Sequence, residues 1–61
     1  MHRIIFWDGD REIGSTPWDM GLEKAKAHAK FYRRVRKATL AQVFDTDTQT
    51  VVAAYTESGD A

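Results

Sequence analysis

The sequence contains no cysteine, so neither a disulfide nor a thiolate-bound metal can hold it together. It has two histidines, His2 and His28, too few for a zinc site without carboxylate help. Its longest apolar run, Ile4 to Trp7, is far short of the ~20 residues a membrane span needs. The start, Met1-His2-Arg3, leads straight into that run, which is also too brief for a signal-peptide core. A soluble, cytoplasmic protein that meets no membrane and carries no cofactor is therefore expected. There is one proline and no excess of one charge: nine Lys and Arg balance nine Asp and Glu. Disorder is excluded as well, because 43% of the residues are hydrophobic.

Sixty-one residues make one domain near the lower limit of independent folding. A chain of this size buries only about 60% of the surface exposed when it is unfolded. With staples absent, oligomerisation is the remaining source of support.

The balanced total hides a sorted distribution. Seven cations and no acid lie between Lys24 and Lys37, and the rest of the chain carries two cations and nine acids. One basic helical surface on an otherwise acidic protein follows.

Local patterns place the elements. Arg3 to Trp7 is β-branched and aromatic, as strands are. Asp8-Gly9 signals a hairpin turn, and Arg11 to Thr16 returns as a polar edge strand. Pro17 then ends that strand, with Thr16 or Asp19 as the helix cap. A helix over roughly 18–37 follows, with Ala25, Ala29, Phe31, Tyr32 and Val35 buried and Lys26, Lys30 and Lys37 exposed. Lys24 and Arg36 interrupt the apolar arc and have to snorkel from its borders.

Residues 39–45 and 50–56 read as a second hairpin. If Asp45 pairs with Thr50 and the pairing continues without interruption, the hairpin has two apolar faces. Ala41, Val43, Val52 and Ala54 form the smaller one, which lets a helix approach closely. Leu40, Phe44, Val51 and Tyr55 then lie outside with Gln42 and serve as an oligomer interface. Residues 58–61 read as a polar, flexible tail after a single domain over residues 1–57. The expected fold is α+β, a two-layer sandwich of one amphipathic helix on a small antiparallel sheet in ββαββ order.

The layout resembles short bacterial proteins of unknown function built as strand–strand–helix–strand–strand. The residues that carry this likeness are Phe6-Trp7-Asp8-Gly9, Leu22 to Ala29, and Val43-Phe44-Asp45 followed by Thr48 and Val51-Val52. The resemblance implies the fold and no activity.

Candidate chemistry is sparse. Asp45-Thr46-Asp47-Thr48 alternates acids as calcium loops do, but has neither the glycine nor the closing glutamate in register. It reads as a loop whose side chains bond the backbone. Asp8, Asp10 and Glu12 read as a solvated turn, since acid–base work needs a cleft that separates their pKa values. His28 lies on the apolar arc without an evident nucleophile or carboxylate, which suits a structural role. Trp7 and Trp18 suit packing. The expected function is a non-enzymatic interaction module, homodimeric through its sheet, that binds a partner protein. The alternative is a nucleic-acid binder that uses Lys26, Lys30, Arg33, Arg34 and Lys37, because contacts to phosphate dominate such affinity.

Overall fold

The computed structural model describes residues 1–57 and the backbone of Gly59–Asp60. Strands β1 (His2–Asp8) and β2 (Arg11–Trp18) form a hairpin, followed by helix α1 (Leu22–Val35). Strands β3 (Leu40–Asp45) and β4 (Thr50–Thr56) form the second hairpin, and the two-residue β5 (Gly59–Asp60) pairs with the end of β4. The antiparallel sheet has the order β2-β1-β3-β4-β5, so the two hairpins meet along β1 and β3. This is the ββαββ two-layer fold, with the helix on one face of the sheet. The side chains of the tail expected over 58–61, and Ser58 and Ala61 altogether, lie outside the described residues. Among the described residues no helix is long and apolar enough to cross a membrane.

Each hairpin is set by local chemistry. Gly9 takes φ 64 in the two-residue turn between Asp8 and Arg11, a conformation glycine adopts without penalty. Its N–H donates to the Thr39 hydroxyl at 2.8 Å, and that hydroxyl in turn donates to the Trp7 carbonyl. Thr39 thereby fastens the first turn to the entry of β3. In the second loop, Asp45 Oδ1 accepts from the N–H groups of Asp47 and Thr48. These bonds hold the Asp45 carboxyl below the usual carboxylate range.

Pro17 does not end the second strand. It pairs with Arg3 inside β2, and β2 is the sheet edge, where a missing N–H costs no ladder bond. Neither Thr16 nor Asp19 caps the helix. The cap is Gly21, with φ 97, and no side chain bonds the first turn. The Gly21 carbonyl accepts both the Ala25 N–H and the Trp18 indole N–H, which orients the helix against the end of β2. At the other end Ala38 N–H bonds the Arg33 carbonyl and Lys37 N–H bonds the Arg34 carbonyl. This is a Schellman closure with Lys37, at φ 56, in the position glycine usually holds.

The core is thin. Ile4, Phe6 and Val43 supply its bulk, and four alanines (Ala25, Ala29, Ala38, Ala41) complete it. Trp18, Leu22, Ala53 and Tyr55 pack around it, partly buried. The helix touches the sheet along the line Leu22–Ala25–Ala29, where short side chains let the backbones come close. Phe31, Tyr32 and Val35 are therefore not buried as the sequence suggested; all three are exposed. Arg36, expected to snorkel, instead lays its guanidinium 4.9 Å from the centre of the Phe6 ring. Gly14 leaves room for it, since a Cβ there would stand 2.9 Å from Arg36 Nη1.

Two bulges decide what faces where. In β2, Ile13 is the extra residue between Gly14, opposite Phe6, and Glu12, opposite Trp7. In β4, Val52 is the extra residue: Phe44 faces Val51, but Val43 faces Ala53 and Ala41 faces Tyr55. The uninterrupted pairing expected for this hairpin therefore fails after its first two pairs. Ala53 and Tyr55 join the helix-covered face in place of Val52 and Ala54.

Candidate functional site

Two surfaces of the sandwich are left uncovered, and they differ in chemistry. The first is the outer face of the sheet. The ladders place Arg3, Ile5 and Trp7 of β1 beside Phe44, Gln42 and Leu40 of β3. Beyond β3 come Val51, Ala54 and Thr56, opposite Phe44, Gln42 and Leu40. Ile5, Trp7, Leu40, Phe44 and Val51 thus give this face as many large apolar side chains as the helix-covered one holds.

Of the residues expected here, Leu40, Gln42, Phe44 and Val51 share the face. Tyr55 does not, because the bulge at Val52 turns it toward the helix. Ile5 and Trp7 take its place. Their signal was legible in the alternation of β1, since Ile4 and Phe6 can occupy only one side of a strand.

The polar group at the centre of this face is already engaged. Trp7 Nε1 donates to Gln42 Oε1 at 2.8 Å, across two neighbouring strands. The Gln42 Nε2 and the second lone pair of Oε1 remain for a bond to a second molecule. Charges sit only at the ends of this patch. Arg3 donates to the Ser15 hydroxyl at 3.0 Å, and Glu12 stands opposite Trp7. The face is apolar and close to neutral.

The second surface is the outward side of α1. Here the expected cation set divides. Lys26 is half-buried and lies 3.5 Å from Glu23, while Arg33 donates to the Ala38 carbonyl at 3.0 Å and closes the helix end. Lys30, Arg34 and Lys37 are exposed along one flank. Beside them run Ala27 and the residues Phe31 and Val35, which the sequence placed in the core. The spacing Ala25–Ala29 was the available signal, because the smallest residues of an arc mark where a helix sits closest to its sheet.

On the other flank four rings form a continuous series. His28 lies 4.7 Å from Trp18 and 4.3 Å from Tyr32, centre to centre, and Tyr32 meets Phe31 edge-on at 5.1 Å. Burial in this stack, and then the Arg36 guanidinium, hold the His28 imidazole below its ordinary pKa. His28 is thus a neutral ring in a stack at pH 7. Asp8, Asp10 and Glu12 lie exposed at the first turn. Among the described residues there is no cavity, and no three His, Cys, Asp or Glu side chains converge as metal ligands would. No protein-family model, curated protein or solved structure matches this chain.

Proposed function

We propose that the protein is a non-enzymatic interaction module that works as a homodimer, joined through the outer face of its sheet, and that it binds a further partner with the surface left over. The observation that carries this reading is the cluster of Ile5, Trp7, Leu40, Phe44 and Val51 on the sheet face away from the helix, with Val51 exposed and the other four only half-buried. A core built largely of alanine leaves the fold dependent on covering that cluster. The occupant is a second copy because the face is nearly neutral and self-compatible. With a two-fold axis across the strands, Arg3 of one copy approaches the Glu12 end of the other. The carboxylates support no catalytic reading: Asp45 is spent on its loop, and the acids of the first turn are solvated.

The expected strength follows from the geometry. Four strands ~4.8 Å apart and about five residues of ~3.3 Å rise give a face of roughly 320 Å² in projection. That is well below the roughly 800 Å² of accessible surface per partner of stable specific interfaces, so the dimer is a weak, transient one. A dissociation constant in the micromolar range is expected. Sedimentation across the micromolar range should show wild type passing from monomer to dimer, and Phe44→Asp remaining a folded monomer by circular dichroism. A wild-type chain that stays monomeric at several hundred micromolar would overturn the proposal.

A further inference from the structure

The outward side of α1 has a composition that the fold does not require. Phe31 is 61% exposed, Val35 57% and Tyr32 37%, although each could be polar without disturbing the core. Ala27, Phe31 and Val35 recur every fourth residue and form a ridge along the helix. Lys30 and Arg34 each follow a ridge residue by three positions, so they run beside the ridge, and Lys37 continues their row. The series Trp18–His28–Tyr32–Phe31 ends in the most exposed of its rings.

A second copy does not suit this surface. Two such helices face to face would oppose the row Lys30, Arg34 and Lys37 to its own copy, with no acid between Lys24 and Lys37 to offset it. The occupant is therefore anionic, and it has to use flat rings as well as charge. Phosphates alone would leave Phe31 and Tyr32 in water. A duplex presents phosphates but keeps the faces of its bases stacked on one another. A single strand offers both, a charged backbone and free base faces, and such strands bind where aromatic platforms stand beside a cationic track.

We propose that the outer face of α1 binds single-stranded nucleic acid, with phosphates along Lys30, Arg34 and Lys37 and a base stacked on Phe31. The inference does not rest on dimerisation. In a dimer joined through the sheets, the two helices lie on opposite outer sides, and each binds by itself.

The test is fluorescence anisotropy with a labelled 20-nucleotide oligothymidylate, a blunt duplex of equal length and polyglutamate, at low salt. The single strand should bind at least fivefold more tightly than either competitor. Phe31→Ala should weaken it by about 5- to 150-fold, the range for loss of one stacked base. Arg34→Ala should lower the slope of log K against log salt by about 0.7, as for one phosphate contact on a single strand. Both side chains are exposed, and circular dichroism should confirm that both variants fold. Absence of binding at low salt, equal affinity for the duplex, or an unchanged affinity in Phe31→Ala would each overturn the proposal. Polyglutamate bound as tightly as the single strand would overturn it in favour of an acidic protein segment.

Discussion

Lys37→Gly should stabilise the protein, although it removes a side chain and adds flexibility. Lys37 has φ 56 because the Schellman closure of α1 needs a left-handed residue between Arg36 and Ala38. A residue with a Cβ pays about 1–2 kcal/mol for that conformation. Glycine relieves this but gives back about 0.4–1 kcal/mol through the greater freedom of the unfolded chain. The cation at the helix C-terminus is worth a further ~0.3 kcal/mol at an exposed site. The net gain is about 0.5 kcal/mol, or roughly 2–4 °C in the melting temperature of so small a domain. Lys37→Ala separates the causes, since it loses the charge and keeps the strain; it should melt slightly below wild type. Thermal denaturation followed by circular dichroism should be run at one protein concentration, because the proposed self-association would make melting depend on concentration. If Lys37→Gly melts no higher than Lys37→Ala, the strain argument is wrong.

Two other perturbations probe the helix. Ala29→Leu should destabilise the fold by about 1–3 kcal/mol or more in urea unfolding, because Ala29 is fully buried where helix and sheet are closest, whereas Ala27→Leu should be tolerated. His28 should make stability fall as pH drops: its folded pKa lies below the ~6.5 of the unfolded chain, so the unfolded state takes up more protons. That contribution is complete above pH ~6.5 and is lost as pH falls toward the folded value, so His28→Phe should flatten the change in melting temperature between pH 7.5 and 5.5. Asp45, depressed in the same sense, loses its contribution only near and below pH 4 and stays out of that window.

The parts of the fold that were legible in the sequence are those set by neighbours along the chain. Asp8-Gly9 marks its turn because glycine alone takes φ 64 there freely, and Asp45 marks the other loop through its bonds to the next residues. The polar composition of Arg11 to Thr16 placed β2 at an edge, and the same edge position is what carries the strand on through Pro17. The helix was visible from its period, but not the side it buries. Both Leu22–Ala25–Ala29 and Ala27–Phe31–Val35 are apolar lines, and hydrophobicity favours the second. Closeness of approach favours the first, and in a two-layer fold this small it wins, because a helix resting on Phe31 would stand too far away to seal Ile4 and Val43.

The bulge at Val52 has no signal in composition, since either of two adjacent valines can take the extra place. Its effect is on the sides that Val52, Ala54 and Tyr55 take. Uninterrupted pairing would set Val52 and Ala54 beneath the helix and leave the Tyr55 ring on the outer face. The inserted residue instead brings Ala53 beneath the helix and Tyr55 to the rim of the core, where one more aromatic ring offsets the shortage of bulk among the alanines. The outer face keeps Leu40, Phe44 and Val51, together with Ile5 and Trp7 from the first hairpin. The two outer surfaces differ in charge. The sheet face is nearly neutral, while the helix face carries the exposed cations Lys30, Arg34 and Lys37.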